Sequence, residues 1–100
     1  MTRQATHVYT EPRDIQRFEM LVQALSDGAR VRLHLVDGQH CEGVVCARPT
    51  VQMFYDGTGK EGVNGVVELE HLNLSDWRRR VWFDQITDVE QLDTNAPLRA

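Results

Sequence analysis

The chain has 100 residues, with 11 Lys and Arg against 15 Asp and Glu, which gives a net charge of −4. A chain of this length supports one compact core and not two. The acidic balance excludes a surface that is basic all over and held to nucleic acid by charge alone, so any such binding has to be local.

Neither a membrane span nor a secretory signal is predicted. The sequence has no run of about 18 apolar residues, and its first seven residues lack the apolar stretch of a signal peptide. We therefore expect a cytoplasmic protein without a membrane partner. Cys41 and Cys46 are too few for a disulfide framework, and we expect both to be reduced thiols.

The first predicted element is a helix. Residues 1–10 are polar and without periodicity, which predicts a flexible arm. A helix over 11–26 follows, because Pro12 suits a first turn and apolar residues then return at helical spacing. Gly28 is expected to end the helix in the left-handed conformation. The apolar stripe consists of Ile15, Phe18, Leu21, Val22 and Leu25.

From residue 29 the hydrophobic period changes to two, which is typical of a half-buried strand. Asp37 and Gly38 then predict a turn. A two-residue loop would set Glu42 opposite Leu33, on the apolar face. A three-residue loop that ends with Gly38 in the left-handed conformation instead sets Cys41 opposite Leu33. We predict the three-residue loop.

The rest of the chain is predicted to be extended. Gly43 lies in the middle of the second strand, where a residue without a side chain marks a bulge or a sharp bend. Apolar residues at three-residue spacing from Ile86 onward predict a short helical turn near the end. Three further strands are predicted at 50–55, 63–72 and 79–86.

These elements predict one mainly β domain over 11–93, followed by a flexible tail at 94–100. Five short antiparallel strands over 29–87 would close, or nearly close, into a small barrel, because closure removes the sheet edges on which proteins aggregate. The N-terminal α-helix would cover one open end of this barrel.

The stretch from Gly28 to Val45 is similar to the first signature of the Sm and Sm-like proteins, which include the bacterial host-factor RNA chaperone. In it, alternating apolar residues lead to the turn at Asp37 and Gly38, and Gly43 follows five residues later. The whole chain also resembles a small family of uncharacterised xanthomonad proteins with a variant Sm-like fold. The resemblance implies a five-stranded Sm-like or SH3-like barrel, RNA binding and assembly into a homo-oligomer.

Two loops depart from the Sm-like pattern. Family members read RNA with an Asp- or Asn-containing loop after the second strand, where this chain has Arg48-Pro49-Thr50. They also use an Arg-Gly loop before the fifth strand, where this chain has residues 77–80. Family rings form by pairing the fourth and fifth strands, and a segment at 77–80 between them would block or alter that pairing. The resemblance thus supports the barrel fold more strongly than it supports an RNA-binding site.

Local charge departs most from the chain average at residues 77–82, where three arginines lie between two tryptophans. Guanidinium groups pair with phosphates and indole rings stack on bases, so single-stranded RNA is the first partner to consider. The same side chains would equally suit surface ion pairs and a subunit or partner interface. The candidate contacts to RNA or to a protein partner are Arg32, Arg48, Trp77, Arg78, Arg79, Arg80 and Trp82.

Two patterns in the sequence look like a dinucleotide-binding fingerprint and a metal site, but we interpret both as structural features. Residues 57–62 match the glycine spacing of the fingerprint, but no helical stripe follows, so a hairpin loop is predicted. His34 and His40 lie near both cysteines in sequence. However, Cys41 and Cys46 are expected on opposite faces of a strand unless Gly43 bulges, and from opposite faces they cannot share a zinc ion. Cys41 is predicted to be a core residue.

No residue pattern predicts catalysis. Ser26 lies at a helix end and Ser75 in a polar turn, and neither has the strained strand-to-helix turn that exposes a nucleophile. Paired carboxylates without a cleft make no general acid and base. We therefore expect a non-enzymatic protein without a cofactor, a metal or a small-molecule substrate. A protein-interaction barrel is the alternative to RNA binding.

Overall fold

The computed structural model describes residues 3–71 and 77–92. Over these ranges the chain is mainly β, with one N-terminal helix and one 3₁₀ helix at Phe83–Gln85. The remaining elements are α1 (Pro12–Ala24), β1 (Arg30–Leu35), β2 (His40–Val45), β3 (Gln52–Tyr55), β4 (Glu61–Asn64), β5 (Val66–Glu70), β6 (Arg78–Trp82) and β7 (Ile86–Gln91).

The helix α1 buries the predicted apolar stripe against the main sheet. Phe18 and Leu25 are fully buried in the core, and Leu21 is nearly so. The backbone N–H of Leu25 donates to the carbonyl of Leu21 and closes the last turn. Gly28 adopts the expected positive φ of 80°, but its N–H donates to the carbonyl of Val45 rather than to the helix. Gly28 therefore ties the helix end to β2.

The main sheet has five antiparallel strands in the order β6-β5-β2-β1-β7. The strands β3 and β4 form a separate two-stranded hairpin. The inward faces of the main sheet carry the predicted apolar residues, since Val67 and Leu69 of β5 and Val81 of β6 are buried. The closure of these strands into a barrel stays a prediction, because β6 and β7 are the outer strands of the sheet.

The predicted register between β1 and β2 is confirmed. Leu33 lies opposite Cys41, and Val31 lies opposite Gly43. Gly38 has a φ of 87°, and its N–H donates to the carbonyl of Leu35. Alternating hydrophobicity and turn chemistry together were sufficient to fix this hairpin, because both act over neighbouring residues.

Of the two features expected at Gly43, a bulge or a sharp bend, the bulge is absent, because the β1–β2 register runs through this residue without a shift. A Cβ at Gly43 would lie 2.8 Å from the carbonyl oxygen of Glu70 and 3.0 Å from the Cβ of Leu69. The glycine is needed for the close approach of β5, which pairs with β2 at Val44 and Val45. Gly43 therefore lies at the junction where β2 meets β5 and the two halves of the sheet join. We call this junction the seam.

Two predictions about the last third of the chain are wrong. The strand expected at 63–72 is divided into β4 and β5 by the buried Gly65, where a Cβ would lie 2.5 Å from the Phe83 ring. The helical turn expected from Ile86 is strand β7, which pairs with β1. The register of that pair shifts between His34 and Leu35. A register shift interrupts the strict alternation of buried and exposed residues, so apolar residues three positions apart also occur in a strand.

The arm predicted to be flexible is docked over its described part. The N–H of Ala5 donates to the carbonyl of Tyr55, and Tyr9 exchanges two backbone hydrogen bonds with Val63. The arm thus adds to the edges of the β3–β4 hairpin, a long-range contact that residues 1–10 do not reveal by periodicity. Ala5, Val8 and Phe54 form a small buried cluster against which Trp82 packs. Ser75 and the predicted tail at 94–100 lie outside the described residues.

Candidate functional site

A groove of about 760 Å³ opens between the N-terminal arm, the loop after β2 and the strands β3, β5 and β6. We call it the arm groove. It brings together the side chains of three arginines, which come from three distant parts of the chain, and those of two aromatic residues. These are Arg3, Arg48 and Arg80 with Phe54 and Trp82.

The strand β6 supplies Arg80 and Trp82 to the arm groove. Side chains alternate along a strand, so these two share the outer face while Val81 between them is buried in the core. On the neighbouring strand β5, Glu68 lies opposite Arg80 and Val66 lies opposite Trp82. The Trp82 ring packs edge-on against Phe54, with ring centroids 5.2 Å apart. The indole is half-buried and keeps part of its surface in the groove.

Arg48 and Arg3 form the other sides of the arm groove. Arg48 follows β2, and its guanidinium donates a hydrogen bond of 3.0 Å to the Ser26 hydroxyl. Arg3 lies on the arm, where its carbonyl accepts a hydrogen bond of 2.8 Å from the N–H of Tyr55. Among residues 3–71 and 77–92, no carboxylate lies within salt-bridge distance of any of the three groove arginines.

The remaining members of the Trp/Arg segment do not join the groove. Arg78 forms ion pairs with Glu68 at 3.5 Å and with Glu70 at 3.9 Å. Arg79 points to the other face of β6, and Trp77 packs against the main core cluster. The pleat of β6 separates Arg79 from Arg80 and Trp82, whereas Arg78 shares their face and is held by its ion pairs. Arg80 and Trp82 meet Arg48 as the prediction requires, whereas Trp77, Arg78 and Arg79 do not.

Arg32 belongs to a different surface, on the outer faces of β1, β2 and β7. Its guanidinium contacts Glu42 at 2.6 Å and Glu90 at 3.0 Å, and His34 also contacts Glu90, at 3.2 Å. We call these four residues the charge ladder. The hydrogen bond from His34, and then that from Arg32, holds the pKa of Glu90 below its usual value. His40 lies beside the ladder, with its ring 6.1 Å from that of His34.

The two cysteines are neutral thiols. Cys46 lines the arm groove, and its Sγ lies 3.8 Å from a carboxylate oxygen of Glu70. Burial, followed by the charge of Glu70, raises the pKa of Cys46, and burial also raises that of Cys41. Since the thiolate is the nucleophilic form, neither environment activates a cysteine.

The described residues also contain neither a metal cluster nor a membrane-spanning helix. No group of three or more His, Cys, Asp or Glu in them is placed to hold a metal ion, and no helix in them is long and apolar enough to cross a membrane. The glycine-rich stretch at 57–62 belongs to a hairpin, as predicted: residues 57–60 lie in the loop between β3 and β4, and Glu61 and Gly62 begin β4. The Asp56 carboxylate accepts backbone hydrogen bonds from Thr58 and Lys60 of this loop.

Side-chain contacts hold the arm in place beside the groove. The hydroxyl of Tyr9 donates a hydrogen bond of 2.9 Å to Asp84, and the Asn64 amide donates one of the same length to the carbonyl of His7. Burial, and then the hydrogen bond to Asp84, raises the pKa of Tyr9 to about 12. The arm is therefore anchored from Arg3, whose carbonyl is bonded to the N–H of Tyr55, to Tyr9.

Comparison with known proteins places this architecture in a family. The family described as "Domain of unknown function (DUF3247)" matches residues 2–92. The chain belongs to the DUF3247 family. A crystal structure of XC5848 from Xanthomonas campestris, described as a novel variant of the Sm-like motif, is 38% identical to this DUF3247 chain. It aligns with a TM-score of 0.87 over 93% of this chain and 100% of that chain. No curated protein matches.

The DUF3247 chain therefore has the Sm-like fold that the stretch from Gly28 to Val45 predicts. The sequence did not reveal Arg3, Phe54 and Glu68 as groove residues. Arg3 was missed because the arm was predicted to be loose. Phe54 and Glu68 lie in strands where apolar and polar residues alternate. This alternation indicates which side chains share a face of the strand, but not which distant segment of the chain covers that face.

Proposed function

We propose that this protein is a non-enzymatic Sm-like binding module whose arm groove binds single-stranded RNA. The observation that supports this is the convergence of Arg3, Arg48 and Arg80 around Trp82 without a salt-bridged carboxylate. Arginines attract the phosphates of a nucleic acid, and an exposed indole stacks on a base whatever its identity. The combination of a local positive groove and an aromatic platform is typical of single-strand binding.

The net charge of −4 does not oppose this function, because several carboxylates form ion pairs with arginines outside the groove. Glu68 and Glu70 contact Arg78, and both Glu42 and Glu90 contact Arg32. Paired charges contribute little field beyond a Debye length of about 8 Å. A bound strand would therefore meet the groove arginines rather than the average charge of the chain.

The test is a titration of a fluorescein-labelled single-stranded RNA at low salt, followed by anisotropy. The groove variant combines Arg48→Glu with Arg80→Glu. The matched control combines Arg13→Glu, on the exposed side of α1, with Arg79→Glu, on the other face of β6. The two variants change the net charge by the same amount.

The groove variant is expected to lose salt-sensitive binding, whereas the control retains most of it. The logarithm of the wild-type affinity should fall linearly with the logarithm of the salt concentration, since bound phosphates release counterions. An equal loss in both variants would assign the binding to general charge and overturn the groove. Absence of wild-type binding at low salt would overturn RNA binding altogether.

A protein-interaction or oligomerisation module is the second candidate, and the outer edges of β6 and β7, which pair with no further strand of the described residues, favour it. Such edges present rows of backbone groups that pair with another chain. Replacing Arg78, Arg79 and Arg80 by Glu distinguishes the two candidates. The triple variant loses RNA binding if the groove binds RNA, whereas only its mass by light scattering changes if β6 is an interface.

The proposal includes closure of the strands into a small barrel. It is supported by the continuous run of chain from β4 into β5 through Gly65, which links the hairpin to the main sheet. The N–H of Phe83 donates to the carbonyl of Gly65 and joins the start of the 3₁₀ helix to this corner.

A further inference from the structure

Glu68 is the one carboxylate among the residues that line the arm groove. A negative charge there repels phosphate, so it does not serve the backbone of a nucleic acid. Its ion pair with Arg78 is solvent-exposed and long, at 3.5 Å, and an exposed pair of this kind contributes little to stability. An ionised carboxylate has about four acceptor sites. Glu68 therefore keeps acceptors that the folded protein does not use.

The register of β5 and β6 places Glu68 beside the aromatic platform. Val66 lies opposite Trp82, and Glu68 follows Val66 by two residues on the same face. Such diagonal neighbours on a sheet lie about 7–8 Å apart. A base is wide enough to extend from one side chain to the other over this separation. A base stacked on Trp82 can therefore bring its hydrogen-bonding edge to the Glu68 carboxylate.

An acceptor-only group discriminates among the four RNA bases. Guanine presents two neighbouring donors on its Watson–Crick edge, N1–H and the N2 amino group, and these match the two oxygens of a carboxylate. Uracil presents one N–H between two carbonyl oxygens, which a carboxylate repels. Adenine and cytosine each present an amino donor next to a ring nitrogen that accepts. Splayed single-stranded bases are commonly recognised on these edges.

From this geometry we infer that the arm groove prefers guanine, with the base stacked on Trp82 and its Watson–Crick edge donating to Glu68. Arg80, opposite Glu68, then contacts an adjoining phosphate. This inference rests on the proposed RNA-binding function. The groove volume of about 760 Å³ is within the range of roughly 300–1,000 Å³ that small-ligand sites occupy. The site therefore reads one base with its phosphates and not a long sequence.

The experiment uses Trp82 as its own reporter. The chain has two tryptophans, so the Trp77→Phe variant leaves Trp82 as the source of indole fluorescence. This protein is titrated with the RNA pentamers UUUUU, UUGUU, UUAUU and UUCUU, which differ only in the central base. UUGUU is expected to bind at least about fivefold more tightly than UUUUU, because a bidentate contact to a base discriminates by that factor or more.

Glu68→Gln, in the same background, replaces one acceptor oxygen by a donor amide. It is expected to remove the preference for UUGUU while UUUUU binds as tightly or more tightly, because a repelling charge is lost. Glu70→Gln is the matched control. Glu70 lies on the same strand and face and also contacts Arg78, but it does not line the groove. This control is expected to keep the preference.

The outcomes separate the inference from the function on which it rests. If no pentamer binds and longer RNA also fails, the proposed function itself is wrong. If all pentamers bind with equal affinity, RNA binding stands and the guanine preference is overturned. The preference is also overturned if Glu68→Gln and Glu70→Gln change the ratio of UUGUU to UUUUU affinity by the same factor. Circular dichroism checks that each variant is folded.

Discussion

Arg32 and Arg80 occupy comparable positions and have different surroundings. Both lie on the outer face of a strand, and both face a glutamate across the sheet, Glu42 for Arg32 and Glu68 for Arg80. Arg32 forms ion pairs with carboxylates on both sides. Arg80 forms none among the described residues and lines the arm groove.

The difference follows from the strand order. β1 lies inside the sheet between β2 and β7, so Arg32 has a cross-strand neighbour on each side. β6 is an outer strand, so Arg80 has a neighbour on one side alone, and that neighbour, Glu68, already contacts Arg78. Arg80 thus stays available to a ligand because Arg78, on the same outer strand, takes up the nearest glutamates, whereas Arg32 serves the fold.

The largest effect is expected from breaking the seam that joins these two regions. Gly43→Ala would place a Cβ 2.8 Å from the carbonyl oxygen of Glu70 and force β2 away from β5. We expect a loss of about 2 kcal/mol in the free energy of unfolding, the scale of an overpacked interior. Urea denaturation measures it.

Gly57→Ala is the control for the seam, because a Cβ at Gly57 meets nothing within 4 Å. It is expected to change the free energy of unfolding by less than about 0.5 kcal/mol, as surface substitutions do. Equal stability of the two variants would show that β2 and β5 can separate at Gly43 without cost.

Removal of the aromatic platform is expected to have the largest effect on binding. Trp82→Ala should weaken single-stranded RNA binding by about 1–3 kcal/mol, the measured contribution of a base stacked on an aromatic ring. Anisotropy titration measures this loss. Tyr55→Ala, which removes an exposed ring that does not line the groove, serves as the control. An RNA affinity of Trp82→Ala equal to that of the wild type would place the site elsewhere.

The comparison is tested directly by truncating each arginine to alanine. Arg80→Ala is expected to weaken RNA binding and to reduce the slope of log affinity against log salt by about 1, as the loss of one phosphate contact does. Arg32→Ala is expected to leave that slope unchanged. Instead it should lower the urea midpoint at low salt, with a smaller reduction at about 1 M salt, where surface charges are screened.

The opposite pattern, with Arg32→Ala changing the salt slope and Arg80→Ala leaving it unchanged, would reverse the assignment of the two surfaces. Both variants lose one positive charge, so neither result can be attributed to net charge.

The smallest effect concerns the acid stability of the charge ladder. Hydrogen bonds from His34 and Arg32 lower the pKa of Glu90 in the folded protein below its usual value of 4.5. A lowered carboxyl pKa gives stability that is present above the unfolded pKa and is lost as the pH falls through the folded pKa.

In Glu90→Gln, the urea midpoint should therefore fall less steeply than in the wild type as the pH is lowered from 5. Asp56→Asn is the comparison variant, because Asp56 also has a lowered pKa but lies in the hairpin loop, away from the ladder. If the urea midpoint of Glu90→Gln falls with pH as steeply as that of the wild type, the charge ladder does not contribute to acid stability.

The hairpin of β1 and β2 and the buried faces of β5 and β6 could be predicted from the sequence, because alternation and turn residues act locally. Alternation also separates Arg80 and Trp82 from Trp77 and Arg79, but it leaves Arg78 on the groove side, and the ion pairs that hold Arg78 depend on the pairing of β6 with β5. The pairing of β7 with β1 and the docking of the arm depend on distant partners that local periodicity does not reveal. The arm groove depends both on this local alternation and on these long-range contacts.

The docked arm makes ligand binding a linked equilibrium. Arg3 reaches the groove only while the N–H groups of Ala5 and Tyr9 are bonded to Tyr55 and Val63. A ligand that contacts Arg3 binds the docked form, so its apparent affinity falls with the fraction of molecules whose arm is released. The same coupling acts in reverse: a bound ligand must slow hydrogen exchange at Ala5 and Tyr9, because it favours the docked arm.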